Sequence, residues 1–314
     1  MPRSHTGHAG SPGSGLGTLL SVSSSIAFGG VYFLTPLLFP VAAESLWALR
    51  NIITLPLIAL ALVAIRQWYT VTEIAARIRH RPLLLLGITA CGAIIAAQLW
   101  VFGWAPMHGR GMQVALGYFL LPLVLVVIGR FLYRDRLLWW HWLAAGVASV
   151  GVVYELFRVG GVSWETLIVA VGYPIYFVLR RALGTAHLGG MLWEFLLLTP
   201  VAAVLLTMEI VGGSATAANP NLWWAAPIYA AGAGVALMLY LGASRLLTLS
   251  LFGLLGYLEP ALLTVASMLN GERIPAEEWG LYGAVWLAVL VLVGGGIAQL
   301  LQRRSPLSGR REPR

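Results

Sequence analysis

Charged side chains are scarce in this chain of 314 residues. They make up only 10% of the sequence, whereas hydrophobic residues make up 59%. Soluble domains have about 25% charged and 45–50% apolar residues, so this composition and the mean hydropathy of +0.82 exclude a water-soluble globular protein. A membrane helix needs about 20 mostly apolar residues, so ten such helices occupy roughly 200 residues and leave about 115 for tails and loops.

Other absences narrow the classes of function. Cys91 is the single cysteine, which excludes an intrachain disulfide. All six histidines lie in tails, loops or predicted helix starts, so we expect no metal or haem site within the membrane and no cofactor. The sequence has no Gly-x-Ser-x-Gly, His-Glu-x-x-His or P-loop motif, and no selectivity-filter stretch. These absences argue against an enzyme, an ATP-driven pump and a channel.

Long apolar runs occupy most of the chain. They are about twice as long as the strands of a membrane β-barrel, which argues against that architecture. A window of about 19 residues predicts ten membrane-spanning helices with short loops, at residues 17–39, 44–65, 83–105, 111–128, 137–156, 163–183, 189–211, 222–243, 249–270 and 277–301. The first run is too long for a signal peptide, so we expect it to stay in the chain.

The arginines indicate how these helices are oriented. All 20 basic residues are arginine, and 16 of them fall on the inner side when the N-terminus is placed inside. The positive-inside rule therefore predicts cytoplasmic N- and C-termini in a bacterial inner membrane. The basic loop from Arg66 to Arg81 indicates contact with membrane lipids rather than with nucleic acid, and a homodimer remains an open possibility.

An internal repeat divides the chain into two halves. Five features recur at offsets of 137 to 139 residues: Gly117-Tyr118, Pro122, Asp135-Arg136, Trp142 and Gly146 return as Gly256-Tyr257, Pro260, Glu272-Arg273, Trp279 and Gly283. We predict a disordered cytoplasmic tail (1–16), two five-helix repeats (17–157 and 158–301) and a basic cytoplasmic tail (302–314). Because five is odd, the two repeats enter the membrane in opposite directions. The predicted fold is an all-α integral membrane protein with ten transmembrane helices as two inverted five-helix repeats, an architecture typical of alternating-access transporters.

Several stretches resemble a known family. GYFLLPLVLVVIGRFLYRDRL (117–137), AESLWALR (43–50), QLWVFGWAPMHGRG (98–111), VGYPIYFVLRR (171–181), WEFLLLTP (193–200) and LSLFGLLGYLEP (249–260) are similar to the RarD-type, or chloramphenicol-sensitivity-protein, branch of the EamA group in the drug/metabolite transporter superfamily. The resemblance covers residues 17–301. It implies ten helices in two inverted repeats, cytoplasmic termini and movement of small metabolites, often outward. This chain departs from the family pattern at Gly256 and Glu259.

Two ionisable residues inside predicted spans need an explanation, because a charge in the membrane costs several kcal/mol. Arg50 lies about 9 Å below the outer boundary at 1.5 Å per residue and can hold a substrate carboxylate. Its alternative role is an ion pair with Glu44 or Glu259, or snorkelling outward to the membrane interface. Glu259 precedes Pro260 near the middle of the ninth span and can bind a proton or a substrate amine. Its alternative role is structural, as a packing residue or as the permanent partner of Arg50.

Weaker candidates are polar residues on helix faces. Gln98 can bond to substrate or to a neighbouring helix. By repeat symmetry, Tyr32 pairs with Tyr176 and Tyr118 with Tyr257; all four can line a mid-membrane site or pack. Glu194 is expected at the membrane interface, and Asp135 is expected to pair with Arg136 or cap a helix.

The sequence therefore predicts a secondary transporter that moves a small organic metabolite outward, one that is amino-acid-like or amphipathic and aromatic. Two alternatives stay open: a membrane-embedded enzyme acting on lipid or prenyl substrates, and a membrane partner that does not transport.

Overall fold

A computed structural model describes residues 12–108, 110–212, 218–269 and 276–304. The α-helices are α1 (Pro12–Leu34), α2 (Ala43–Ala64), α3 (Tyr69–His80), α4 (Leu83–Met107), α5 (Gly111–Phe131), α6 (Trp139–Val159), α7 (Trp164–Leu183), α8 (Leu188–Gly212), α9 (Leu222–Leu246), α10 (Leu249–Leu255), α11 (Leu258–Leu269) and α12 (Trp279–Arg304). Short 3₁₀ helices cover Thr35–Leu38 and Ala276–Glu278. The prediction of an all-α membrane protein is confirmed.

Nine segments within the described ranges are long and apolar enough to cross a membrane. They match every predicted span except the fifth. At that position lies α6, a helix of 21 residues that includes the polar residues His141, Glu155 and Arg158. The count of ten spans therefore stays a prediction.

The basic segment predicted as a loop contains helix α3. Thr70 and Ile74 are buried one helical turn apart, which gives α3 one face against the protein. Arg77 donates from Nη2 to the carbonyl of Leu183 at 2.6 Å and from Nη1 to that of Gly184 at 3.3 Å, so it satisfies carbonyls at the end of α7. Because α3 is short and partly polar, a window tuned to membrane spans does not detect it.

The ninth predicted span is discontinuous. It breaks at Gly256 and Tyr257, between α10 and α11. The amide of Tyr257 donates to the carbonyl of Leu254 and that of Glu259 to the carbonyl of Gly256, both at 3.2 Å, so the chain tightens to three-residue spacing. Pro260 lies in the first turn of α11, where its missing amide costs no helical bond. The break therefore precedes the proline by three to four residues and leaves Glu259 in the first turn of α11.

The helices pack between the two halves in a symmetric pattern. Helix α1 packs on α9 and α11, while α7, its counterpart in the second half, packs on α4 and α5. Counterparts also pack directly on each other, as α2 on α8, α5 on α10 and α6 on α12. Exchanging the halves converts this set of contacts into itself, as two repeats related by a two-fold axis would. The predicted repeat boundaries stay predictions, and the repeat residues Glu272 and Arg273 lie outside the described residues.

Glycine permits the close approach of α10 to α5. A Cβ on Gly253 would lie 2.7 Å from Cβ of Leu125 and 3.0 Å from the carbonyl oxygen of Pro122. Both distances are shorter than ordinary van der Waals contact, so a larger residue would push the helices apart. Gly146 of α6, in contrast, faces open space.

Candidate functional site

A central cavity lies between helices of both halves. The space in it that contains no protein atoms, counted together with open space at its mouth, is about 730 Å³. Helices α1, α2, α4, α5, α7, α9, α10 and α11 line it, with Phe28, Val31, Tyr32, Arg50, Leu99, Phe102, Tyr118, Leu121, Pro122, Leu125, Tyr173, Tyr229, Leu237, Tyr240, Phe252, Gly253, Gly256, Glu259 and Pro260.

Arg50 projects from α2 into this cavity and is incompletely bonded. Its side chain is only 6% exposed. Within the described part of the chain, one hydrogen bond holds it, from Nη2 to the carbonyl of Ala233 at 3.3 Å, and Nε is buried without a hydrogen-bond partner. The centre of the guanidinium lies 6.0 Å from the centroid of the Phe28 ring. Because a guanidinium has five donors, Arg50 retains capacity for an acceptor supplied by a ligand.

Glu259 brings the opposite charge to the same cavity from the first turn of α11. It is half-buried and lines the cavity together with Arg50. Among the described residues, however, the two side chains form no ion pair within 4.0 Å. Glu44, the other predicted partner, accepts a bond from Nε1 of Trp100 at 2.9 Å. Neither structural ion pair considered for Arg50 is formed.

Aromatic rings form a continuous belt around the cavity. Ring centroids are 6.3 Å apart for Tyr32 and Phe102, 5.7 Å for Phe102 and Tyr118, 6.0 Å for Tyr118 and Tyr173, and 6.4 Å for Tyr173 and Tyr240. Tyr32 and Tyr118 were candidates from the sequence. Tyr240 and the phenylalanines were not, because aromatic residues at helical spacing give no local sign of whether they face a cavity or a neighbouring helix.

Three predicted site residues lie outside the cavity lining. Gln98 donates from Nε2 to the carbonyl of Ile168 at 2.6 Å, so it serves as a bond between α4 and α7. The hydroxyl of Tyr257 donates to the carbonyl of Phe119 at 3.3 Å. Tyr176 bonds to Glu194 and does not meet Tyr32. Of the two proposed symmetric pairs, each therefore contributes one member to the cavity.

A second charged cluster, which sequence reasoning missed, lies between α7 and α8. Nε of Arg180 is 2.9 Å from Oε1 of Glu194, and these side chains are 2% and 0% exposed. The hydroxyl of Tyr176 donates to Oε2 of Glu194 at 2.8 Å. Arg180 also donates from Nη2 to the carbonyls of Thr185 and His187 at 3.1 and 2.9 Å. Glu194, for which the sequence predicted an interfacial role, is therefore buried within the protein and paired with Arg180.

His187 lies half-buried beside this cluster, in the turn between α7 and α8. Desolvation lowers the pKa of His187, and the positive charge of Arg180 acts in the same direction. The backbone amide of Gly190 donates to its Nδ1 at 3.3 Å, so the neutral ring serves as an acceptor.

Polar contacts join the two halves on both sides of the cavity. Near the starts of α5 and α7, Arg110 donates from Nε and Nη2 to the two carboxylate oxygens of Glu165 at 2.6 and 3.1 Å. This bond raises the pKa of Arg110. At the other end of α5, Oδ2 of Asp135 accepts the backbone amide of Ser250 at 2.9 Å. Asp135 therefore caps α10 of the second half.

Comparisons with known proteins extend over the same region. No protein-family model matches the chain. The chloramphenicol-sensitive protein RarD of Pseudomonas aeruginosa PAO1 is 36% identical, over 93% of this chain and 98% of that protein. The uncharacterized transporter PM1281 of Pasteurella multocida is 34% identical over 91% and 98%. An uncharacterized transporter of Haemophilus influenzae is 32% identical over 91% and 96%.

A solved crystal structure supports the fold alone. It has 22% sequence identity and a TM-score of 0.58, and the likeness covers 93% of this chain and 99% of the other. The helix arrangement described above is therefore one found in a protein structure determined by crystallography.

Proposed function

This chain belongs to the RarD branch of the drug/metabolite transporter superfamily and is an integral membrane transporter, and we propose that it exports a small organic metabolite by alternating access. The substrate is amino-acid-like, or amphipathic and aromatic. One observation carries the proposal: the cavity between the two halves holds an arginine and a glutamate that do not pair with each other.

The position of the cavity supports alternating access. Helices of both halves line it, and inter-half contacts of Arg110 with Glu165 and of Asp135 with Ser250 lie on opposite sides. A carrier exposes its site to one side at a time by making one such set of contacts and breaking the other. The repeats at 17–157 and 158–301 are the two moving halves in this proposal. The arginine distribution supports cytoplasmic termini in the bacterial inner membrane.

Glu259 is the coupling residue in this proposal. A carboxylate in a low-dielectric cavity with no cation within ion-pair distance is stabilised either by a proton or by a cationic group of the substrate. Its place beside the break between α10 and α11 fits discontinuous helices, which form the sites of many secondary transporters. Arg50 holds an anionic group at the same site.

Transport into liposomes tests the coupling. The substrate is first identified by comparing metabolites exported by cells with and without the protein. We expect Glu259→Gln to abolish uptake driven by a pH gradient while the protein still inserts. Glu277→Gln is the matched control, since Glu277 is exposed in the short 3₁₀ helix before α12. Undiminished pH-driven uptake by Glu259→Gln would contradict the coupling role.

Cysteine labelling tests alternating access. Leu99→Cys places a thiol in the cavity lining, and Cys91→Ser removes the single native thiol. A carrier should label from each side of the membrane, in proportions that substrate changes. Labelling from one fixed side would support a membrane-embedded enzyme instead.

A further inference from the structure

The lining of the cavity contains one charge of each sign. Among its lining residues, Arg50 and Glu259 are the cation and the carboxylate, and the remaining side chains are apolar or phenolic. In this low-dielectric setting each charge needs a close partner, because an unpaired buried charge is far more costly than a paired one. The two side chains do not provide this for each other within 4.0 Å.

No carboxylate of the described residues lies within ion-pair distance of Arg50. Its named bond goes to a neutral carbonyl, that of Ala233, and its buried Nε has no hydrogen-bond partner. A planar guanidinium binds a carboxylate through two parallel bonds, which satisfies several of its donors at once. The unfilled donors of Arg50 therefore favour a carboxylate on the ligand.

Glu259 lacks a cationic donor in the same way. No arginine or histidine lies within ion-pair distance of it in the described ranges, although Arg50 lines the same cavity. An α-amino acid carries an ammonium and a carboxylate on one carbon, so it offers each of the two residues a group of opposite charge. A ligand with one charge would leave either Arg50 or Glu259 without a partner.

The aromatic belt defines the rest of the ligand. Tyr118, Tyr173 and Tyr240 form a run of adjacent rings, and Phe252 lies 4.7 Å from Tyr240 between centroids. Such rings pack against apolar or aromatic groups, and their faces attract an ammonium. Resting on the proposed function of this cavity, we infer that its ligand is a zwitterion, with a carboxylate bound by Arg50, an ammonium bound by Glu259, and an aromatic or apolar body in the belt.

Three ligands with the same phenyl ring test the contribution of each charge separately. Calorimetry on the purified protein in detergent compares L-phenylalanine, which has both charges, with phenethylamine, which lacks the carboxylate, and 3-phenylpropionate, which lacks the ammonium. We expect L-phenylalanine to bind and each single-charge probe to bind at least about tenfold more weakly, since a bond to a charged group contributes about 1.5–3 kcal/mol. Equal binding of all three, or binding of none, overturns the inference.

Variants assign each charge to its residue. Arg50→Gln should weaken L-phenylalanine at least about tenfold and leave phenethylamine unchanged, whereas Glu259→Gln should weaken L-phenylalanine and leave 3-phenylpropionate unchanged. Arg245→Gln, at an exposed position of α9, is the matched control and should change none of them. Equal weakening of every probe by Arg50→Gln would indicate a damaged fold rather than a lost contact and would overturn the assignment.

Binding in detergent tests the ligand class and transport in liposomes tests the carrier function, so either proposal can be contradicted without the other. If the probe pattern holds but no liposome uptake occurs, the ligand class stands and the carrier function is lost. If uptake of a neutral compound depends on Glu259 while the probes are not distinguished, the carrier function stands and the zwitterion inference is lost.

Discussion

Removing one charge from the buried Arg180–Glu194 pair should destabilise the protein strongly. Glu194→Gln keeps the shape of the side chain and an oxygen that can still accept from Tyr176. It nevertheless leaves Arg180, which is 2% exposed, without a neutralising charge inside the helix bundle. Breaking a buried pair from one side typically costs about 3–5 kcal/mol, because desolvation of the remaining ion is no longer offset.

Thermal unfolding in detergent measures this cost. At roughly 2 °C per kcal/mol for a chain of this size, the expected decrease in Tm of Glu194→Gln is about 6–10 °C. Glu73→Gln, at an exposed site on α3, is the matched control and should shift stability by less than about 0.5 kcal/mol.

The double variant Arg180→Met with Glu194→Leu distinguishes an ion pair from simple loss of packing. Replacing both partners by apolar residues leaves no buried ion, so the double variant should be clearly more stable than Glu194→Gln alone. It should also keep the probe preferences of the central cavity, since neither residue lines that cavity. If the double variant were less stable than the single one, the pairwise account of this cluster would be wrong.

Three further perturbations follow from the packing. Gly253→Val should cost about 1–3 kcal/mol of stability by forcing α10 from α5, whereas Gly146→Ala, in open space, should be neutral or slightly stabilising; unfolding of both compares them. Arg77→Gln should speed hydrogen exchange across α3 because it loses its bonds to the end of α7, and Arg79→Gln should not. Because burial lowers the pKa of His187, its contribution to stability should be full above pH about 6.5 and lost as the pH falls through the lower folded value. His187→Asn keeps an acceptor and should reduce the difference in Tm between pH 7.5 and pH 5; an unchanged difference would exclude this role.

Site residues could be predicted from the sequence only where placing the side chain inside the membrane costs free energy that needs an explanation. Arg50 and Glu259 stood out because a charge inside an apolar run needs a reason, and both line the cavity. Gln98, Tyr176 and Tyr257 have the same helical spacing as residues that do line it, yet each bonds to a neighbouring helix. Spacing identifies the face of a helix, but not what lies opposite that face.

Composition and charge pattern alone determined that the chain is an all-α membrane protein and where most spans lie. The resemblance to the RarD branch came from particular stretches of sequence. The free energy of transferring a segment into a bilayer is a sum of contributions from neighbouring residues, so hydropathy averaged over a local window predicts it. Only the tertiary structure decided that Glu194 is buried against Arg180, that the ninth span is broken before Glu259, and that Arg50 and Glu259 face one cavity without pairing. Those features depend on contacts between helices far apart in the chain, and contacts of that kind leave no periodic or additive trace in the sequence.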